Sequence, residues 1–327
     1  MTITLLRNLC FLMLLASCAS SSKNTARENS QPVIFDTTVY EEPKIATDRK
    51  PLSLMDLPQS QHGGFVLAPG FYEAEFKTYC LQPGTPDPSV GDAYIQGPVT
   101  GYRKEIVESV LMNSRDYTSV DQRNVQLLLW SVVSGSNFNK LSSEVQADAA
   151  RLLTPKQIFE LKGGVIGVIQ TVSNATGILS ANKDIQRLFE FGSSSYETIE
   201  RLAVLKEPSR VLRSGVKADQ WYRQKENYYV RYFPLGYKRV KIQVYVPDGL
   251  LDADNKSGGD YVVFDPTGQQ AYPAFTNAQR LGVGAPVIEI VRVIIQVNKE
   301  LGRPGRVPDR KKPEPTNPKA PAGPKGI

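Results

Sequence analysis

The chain has 327 residues, 41% of them hydrophobic, and a formal net charge of +6. This length and hydrophobic content exclude a wholly disordered chain and allow a sizeable core in one or two domains. Much of the positive excess lies after Gly302, in a tail rich in lysine, arginine and proline.

The N-terminus has the pattern of an export signal. Arg7 precedes an apolar run that is too short to span a bilayer, and small residues follow it. Residues 15–18 read Leu-Ala-Ser-Cys, which resembles the lipobox of bacterial lipoproteins. The resemblance implies removal of signal peptide 1–17 and a palmitate-type membrane anchor on Cys18. It also implies an outer-membrane location, on the periplasmic side or the surface, because Ala19-Ser20 contains no acidic retention residue. The alternative is an ordinary signal peptide with a chance cysteine.

The first part of the mature chain is predicted to be a tether followed by a strand. Residues 18–64 are polar, with scattered prolines and charges, and predict a flexible tether. Residues 65–81 are rich in aromatics and largely alternate with period two, which predicts a strand. Residues 82–98 carry several prolines and glycines, which predict an irregular loop.

Residues 65–215 are predicted to form a mainly helical domain with this entry strand. Ser119 and Gln122 match a capping box, which predicts a helix that ends at Gly135. Thr154 and Gln157 match a second one, with proline at the first helical position. Further helices are predicted at 104–111, 142–153 and 195–206, whereas 165–180 is ambiguous between helix and strand.

Residues 216–302 are predicted to form a β-rich section with a C-terminal helix. Strands are predicted at 227–233, 239–246 and 260–264, and the spacing of polar residues predicts a helix over 287–301. Residues 303–327 are predicted to be a disordered, basic, proline-rich tail. Because helices and strands are segregated along the chain, the expected fold class is α+β.

Cysteine usage singles out one thiol. Of the 3 cysteines, Cys10 is expected to leave with the signal and Cys18 to carry lipid, so Cys80 is alone in the mature chain. An exported protein works where thiols oxidise, so a lone thiol must be buried, paired with another chain or otherwise protected.

A glutamine on the predicted helix after Ser119 is the second residue of interest. Gln126 lies among apolar residues, and Trp130 lies one turn later on the same helix face. Such a glutamine is predicted to be buried.

Two short motifs resemble those of bacterial thioester domains, which occur in surface adhesins. Tyr79-Cys80-Leu81 resembles the cysteine motif of that family, and the stretch from Val125 to Trp130 is similar to its glutamine motif. The resemblance implies that the sulfur of Cys80 attacks the side-chain amide of Gln126 and releases ammonia. The internal thioester then forms a covalent bond to a target amine, with Tyr79 and Trp130 as candidate shielding residues.

The match to that family has departures. Val125 replaces the usual threonine, Leu128-Leu129 replaces a small apolar pair, and the interval between the motifs is short for the family. A lipid anchor also differs from the wall anchors of its known members. The alternative is a buried core thiol at Cys80 and a glutamine that bonds to backbone at Gln126.

Other chemistry has little support in the sequence. His62, the only histidine, lies beside two glycines at the end of the tether, a poor position for a catalytic imidazole or a zinc ligand. Glu73 and Glu75 share one face of the predicted strand and are a carboxylate pair for a glycan-acting enzyme. A calcium loop is conceivable at the aspartates, but a solvated hairpin loop is the favoured interpretation. These aspartates are Asp248, Asp252, Asp254 and Asp260.

The sequence favours an envelope-anchored lipoprotein with a non-enzymatic role in binding or envelope assembly, without cofactor or metal. Its expected partners are the membrane, through Cys18, and an envelope protein or a surface polysaccharide. Nucleic acid is not expected, because no aromatic residue lies between the charges of the basic tail. A thioester adhesin acting through Cys80 and Gln126 is the first alternative, and a glycan-acting enzyme is the second. Tyrosines of the predicted strands offer either a binding face or sheet packing; they are Tyr228, Tyr229, Tyr232 and Tyr245.

Overall fold

A computed structural model describes a folded body that contains the two motifs. The described residues are 43, 50–61, 63–101, 103–164, 176–192, 195–208, 216–224, 228–248, 261–275, 277–287 and 294–295. The predicted signal peptide, Cys18, nearly all of the tether up to residue 49, His62 and the tail 303–327 lie outside these residues. The predicted α+β class is confirmed.

Strands occupy both ends of the described chain. They are β1 Leu52–Ser53, β2 Gln59–Ser60, β3 Phe65–Leu67, β4 Gly70–Cys80, β5 Thr85–Pro86, β6 Tyr94–Gly97, β7 Val204–Leu205, β8 Tyr222–Arg223, β9 Tyr229–Pro234, β10 Arg239–Val246, β11 Val262–Phe264, β12 Gln270–Pro273, β13 Leu281–Pro286 and β14 Ile294–Ile295.

Helices fill the middle of the chain, between β6 and β7. They are α1 Lys104–Asn113, α2 Gln122–Ser134, α3 Ser143–Leu152, α4 Pro155–Phe159, α5 Thr176–Glu190 and α6 Tyr196–Ala203. Single 3₁₀ turns lie at Leu54–Asp56, between β1 and β2, and at Phe138–Lys140, between α2 and α3. The position of the α-helices confirms the predicted segregation of helices from strands.

The long strand β4 is the centre of the main sheet. Among the described residues this sheet has eight strands, in the order β6-β12-β13-β4-β10-β9-β8, with β1 added parallel to the first half of β4. β10 runs antiparallel to β4 from Arg239 opposite Lys77 to Val246 opposite Gly70. On the other side, β13 pairs Leu281 with Cys80. Strands from both predicted sections, 65–215 and 216–302, therefore share one sheet.

Two smaller sheets accompany the main sheet. β11, β3, β2 and β14 form one of them, and β5 pairs parallel with β7 in the other. The second pairing holds the loop after β4 against the end of α6, because Gly84 N donates to Ala203 O at 2.8 Å and Asp87 N donates to Leu205 O at 2.8 Å.

Helix α2 packs against β4 and also contacts α1, α3 and α5. It begins after Asp121, whose side chain accepts from Arg123 N, and ends at Gly135 with φ of 73°. The left-handed backbone at Gly135 is the conformation that glycine adopts most easily at a helix end. The predicted end of the helix is thus confirmed, whereas the predicted N-cap at Ser119 is wrong. Asp121 fills that role, since the helix begins at Gln122 and the Asp121 carboxylate accepts from Arg123 N at 2.7 Å.

The second capping box is confirmed in full. The side chain of Thr154 accepts from Gln157 N, and the side chain of Gln157 accepts from Thr154 N, with Pro155 at the first helical position. The predicted helices at 104–111, 142–153 and 195–206 are present with slightly different ends; Val204 and Leu205 belong to β7. The ambiguous segment 165–180 lies outside the described residues up to residue 175, and α5 begins at Thr176.

Several predictions need correction. Residues 50–61 of the predicted flexible tether 18–64 belong to the folded body, because β1 pairs with β4, β2 pairs with β3 and Leu54 is completely buried. Tyr94–Gly97 is a strand within the predicted loop 82–98, because its residues pair with β12. Ile294–Ile295, inside the predicted helix 287–301, pairs with β2 as a strand, which suits its β-branched side chains. Residues 288–293 and 296–301 lie outside the described residues. The sequence analysis also missed β12 and β13, whose short glycine- and proline-containing runs carry a weak alternation.

The strand tyrosines serve packing. Tyr228 and Tyr232 are buried in the main core, and Tyr245 packs with Phe71 and Trp221 in a smaller cluster on the other face of the sheet. This second cluster explains why β10 is buried on both faces over its last five residues. In the described part of the chain, no helix combines the length and apolarity that crossing a membrane requires.

Candidate functional site

Cys80 is the last residue of β4 and is completely buried. Its backbone N–H and C=O face the β10 side of β4, but β10 does not extend as far as Cys80. The pairing of the two antiparallel strands stops at Arg239 opposite Lys77, and beyond it Thr78 N donates to Lys238 O at 2.9 Å. On the opposite side, Leu81 N donates to Arg280 O at 2.9 Å. On the β10 side, therefore, Cys80 lacks a strand partner, although both of its polar backbone groups are buried and must be satisfied.

The side chain of Gln126 supplies both missing partners. Cys80 N donates to Gln126 Oε1 at 2.8 Å, and Gln126 Nε2 donates to Cys80 O at 3.1 Å. Gln126 is only 1% exposed, as predicted from its apolar surroundings on α2. Its amide thus takes the place of a peptide group of the absent strand neighbour.

A second glutamine extends the same arrangement by one helical turn. Gln122 Nε2 donates to Lys238 O at 2.9 Å and, at 3.3 Å, to Thr78 O. Residues four apart lie on the same face of a helix, so Gln122 and Gln126 follow the uncovered edge of β4 in step with alternate strand residues. This glutamine pair on α2 is the sequence signal that explains how the two motifs meet.

The double hydrogen bond fixes the orientation of the Gln126 amide beside Cys80. Oε1 receives the N–H of Cys80 itself, which polarises the amide carbonyl and stabilises negative charge that develops on that oxygen. Because oxygen and nitrogen are both bonded to one residue, the carbonyl carbon Cδ is held beside the residue that carries the thiol. The site brings together the two residues that the thioester motifs predict.

The thiol lies in an apolar environment with weak donors. Burial raises the pKa of Cys80 to about 12, N–H groups of Trp130 and Gln82 that act on the sulfur lower the pKa, and Asp87 raises it. Nε1 of Trp130 makes no hydrogen bond of ordinary geometry within the described residues, although it is buried. Its interaction with the sulfur is therefore a long or bent N–H···S contact, and the donor has capacity for a better acceptor.

The two candidate shielding residues lie in different places. Trp130 is fully buried one turn after Gln126 and interacts with the sulfur, as the predicted helix face requires. Tyr79 precedes Cys80, so the alternation of the strand directs its ring to the opposite face. There it interacts with Ser114, and a Cβ at Gly284 would lie 2.7 Å from Cε2 of its ring. Shielding by Tyr79 stays a prediction.

A layer of aromatic and charged residues lies outside Trp130. The Trp130 ring centroid is 5.5 Å from that of Tyr196 and 6.4 Å from that of Tyr237. The two tyrosine hydroxyls are 2.6 Å apart, and the hydroxyl of Tyr237 also donates to Glu200 Oε1. Lys238 completes the layer with an ion pair to Glu200, Nζ to Oε1 2.9 Å.

Asp87 reaches the same region from the loop after β4. Its Oδ1 accepts from Tyr237 N at 2.9 Å. Burial raises the pKa of Asp87, the hydrogen bond from Tyr237 and the charge of Lys238 lower it, and Glu200 raises it further. Sequence reasoning missed this outer layer, because its members come from three separate parts of the chain and form no motif.

The structure also bears on the carboxylate pair and on the metal site that the sequence analysis considered. Glu73 Oε2 accepts from Gln243 Nε2 at 2.8 Å, and Glu75 Oε2 is 3.5 Å from a nitrogen of Arg239. Each carboxylate is therefore engaged by a residue of β10 across the sheet. Residues 249–260, which include most of the aspartates of the calcium hypothesis, lie outside the described residues. Within the described ranges, no group of three acidic, histidine or cysteine side chains is placed to hold a metal ion.

Comparison with known proteins adds no family: no family model matches the chain, and neither a curated protein nor a solved structure does so. Function must therefore be argued from the geometry of Cys80, Gln126 and the residues around them.

Proposed function

We propose that this protein is an envelope-anchored adhesion protein whose domain forms an internal thioester between Cys80 and Gln126 and bonds covalently to a target amine. The observation that carries the proposal is the pair of hydrogen bonds by which the buried amide of Gln126 holds Cys80 N and Cys80 O. These residues are far apart in sequence, and they carry the thiol and the acyl group that the chemistry needs.

Formation of the thioester needs no external reagent. The sulfur of Cys80 bonds to Cδ of Gln126, the bond from Cδ to Nε2 breaks, and the thiol proton leaves with the nitrogen as ammonia. Cys80 N–H already donates to Oε1, so this oxygen is stabilised when the carbonyl becomes tetrahedral. Loss of Nε2 leaves Cys80 O without its donor, which costs about 1–3 kcal/mol.

Burial gives the thioester its lifetime. Cys80 and Trp130 are fully buried and Gln126 is nearly so, which keeps water from hydrolysing a reactive acyl group. The same bond protects a lone thiol in an oxidising compartment. A target amine then bonds to Cδ of Gln126, the bond from Cδ to sulfur breaks, and the thiol of Cys80 is restored.

The anchoring part of the proposal rests on the sequence. The motif at residues 15–18 supplies a lipid on Cys18, and the part of the predicted tether that precedes β1 supplies reach between the membrane and the folded domain. Adhesion at an outer membrane or surface uses both features.

The test is the intact mass of the mature chain carrying Cys18→Ser, which removes the lipid, before and after methylamine. We expect a mass short by one ammonia, which rises by one methylamine on treatment. Cys80→Ala and Gln126→Glu should show their full calculated masses, since one lacks the nucleophile and the other lacks the leaving ammonia.

Gln122→Glu is the matched control, because Gln122 also bonds β4 from α2 but does not contact Cys80. It should keep the mass deficit. If the chain that carries only Cys18→Ser has its full calculated mass, and Cys80 is alkylated only after denaturation, the thioester hypothesis is overturned.

A non-covalent binding lipoprotein is the second candidate. The observation that favours it is that Gln126 already satisfies both backbone groups of Cys80, which is a sufficient structural role for a buried glutamine. In that case the mass is complete, methylamine changes nothing, and the target is held by the surface of the domain.

A further inference from the structure

The outer layer over Trp130 has the chemistry of an ammonium site. Lys238 Nζ lies 5.4 Å from the ring centroid of Tyr196 and 5.3 Å from that of Tyr237. It also lies 2.9 Å from Glu200 Oε1. Two aromatic faces and a carboxylate around one primary ammonium are the combination by which proteins bind alkylammonium groups.

We infer that Tyr196, Tyr237 and Glu200 form a binding site for a primary alkylammonium group, which Lys238 occupies in the free protein. We call these three residues the ammonium cage. It deepens the proposed function, on which its role in amine transfer rests, by assigning the chemical class of the target: a cationic alkylamine such as a lysine side chain.

The first support for the cage is its rigid construction. The tyrosine hydroxyls are 2.6 Å apart, and Tyr237 also donates to Glu200, so each member of the cage fixes another. Arg123 places its guanidinium carbon 4.9 Å from the ring centroid of Tyr196, so this ring attracts a second cation. The rings are thus arranged for a cation before any target arrives.

The second support is that the occupant is exchangeable. The side chain of Lys238 is 48% exposed and that of Glu200 27%, so an incoming ammonium can reach the carboxylate and displace Lys238 into water. Ion pairs of this exposure contribute little free energy, so displacement of Lys238 is easy.

The third support is the position of the cage relative to Cys80. The Trp130 ring packs with both tyrosine rings, and its N–H acts on the sulfur of Cys80. Nε1 is buried and lacks a hydrogen bond of ordinary geometry within the described residues, so the indole carries a spare donor beside the sulfur. A side chain held in the cage is one aromatic ring away from the thioester.

The transfer step follows from this layout. The bound ammonium loses one proton to solvent and its nitrogen bonds to Cδ of Gln126. The bond from Cδ to the sulfur of Cys80 breaks, and the sulfur takes the second proton that the nitrogen gives up. Trp130 must turn aside for this step.

The test compares a charged and an uncharged nucleophile on the full mature chain with Cys18→Ser. Mass spectrometry gives the rate of thioester loss with n-butylamine, which is an ammonium at neutral pH, and with hydroxylamine, which is neutral there. Lys238→Gln empties the cage, so we expect the rate with butylamine to rise about fivefold and the rate with hydroxylamine to stay unchanged. Glu200→Gln should lower the butylamine rate alone.

Lys241→Gln is the matched control. Lys241 Nζ also lies near an aromatic ring, 5.2 Å from the ring centroid of Phe233, but Phe233 does not belong to the ammonium cage. With both nucleophiles, this variant should lose the thioester at the same rate as the chain that carries only Cys18→Ser. Equal changes for both nucleophiles in Lys238→Gln, or no change for butylamine, would overturn the cage.

A direct binding measurement separates the cage from the thioester. Nuclear magnetic resonance of Cys80→Ser, which cannot hold the native thioester, should show butylammonium shifting the resonances of Tyr196 and Tyr237, more strongly in the Lys238→Gln background. If Cys80→Ser does not fold, the methylamine-treated chain replaces it. Binding without any mass deficit keeps the cage and rejects the thioester, whereas a thioester without tyrosine shifts rejects the cage.

Discussion

At the scale of single residues, the contact between Cys80 and Gln126 decides what chemistry the chain has. The sequence singled out both residues, because one is predicted to be the sole thiol of the mature chain and the other lies in an apolar helix. Their contact through two hydrogen bonds, at 2.8 and 3.1 Å, depends on where β10 ends, which the sequence does not reveal. The cage residues Tyr196, Tyr237 and Glu200 could not be predicted, since only the fold brings them together.

The pKa of Cys80 gives a pH test of the same site. Burial raises this pKa from 9.0 to about 12 in the folded thiol form. Below pH 9 the thiol of Cys80 keeps its proton in both the folded and the unfolded chain, so the free energy of unfolding does not change with pH through this group. Between pH 9 and 12 only the unfolded chain releases it, so the free energy of unfolding falls by about 1.4 kcal/mol per pH unit.

A thioester has no thiol to titrate, so the two forms should differ. We expect urea unfolding at pH 8 and pH 10 to show this loss after methylamine treatment but not before it. Cys80→Ala gives the baseline for tyrosines that titrate in the same range. An untreated protein that loses stability as much as the treated one would show that Cys80 is a free thiol.

At the scale of elements, capping decides how α2 meets β4. The side chain of Asp121 accepts from Arg123 N at 2.7 Å, and this bond fixes the first turn, which carries Gln122. Asp121→Ala should lower the free energy of unfolding by about 1 kcal/mol, as loss of an N-cap does. Ser119→Ala, at the residue that the sequence suggested as N-cap, should change it by less than about 0.5 kcal/mol.

Chemical denaturation of the two variants measures this difference. Equal losses would mean that Ser119 takes part in the cap.

Elements with strong local signals, such as the capping box at Thr154 and the glycine after α2, were predicted well from sequence. Strands β12, β13 and β14 were missed or misread, because their identity depends on partners that lie far away in the chain.

At the scale of the whole molecule, the main sheet joins the two sections that the sequence separated near residue 215. β4 comes from the first section, whereas its long-range partners β10 and β13 come from the second. A fragment of residues 50–215 therefore leaves most of β4 without partners and should show no cooperative thermal transition by circular dichroism. Residues 50–302 should melt cooperatively, and a cooperative melt of the shorter fragment would restore the two-domain division.

The short pairing of β1 also determines how the domain responds to a pulling force. The chain enters the folded body at β1, which is bonded to β4 only by the pairs of Leu52 with Tyr72 and Ser53 with Glu73. Under the proposed function, a target bonded at Gln126 would pull on α2, while the proposed lipid anchor would pull on β1. Tension then loads this two-residue ladder before the eight-residue pairing of β10 with β4. This ladder would then be a weak first link that opens under load and adds length to the proposed tether, while the central strand and the proposed covalent bond stay intact.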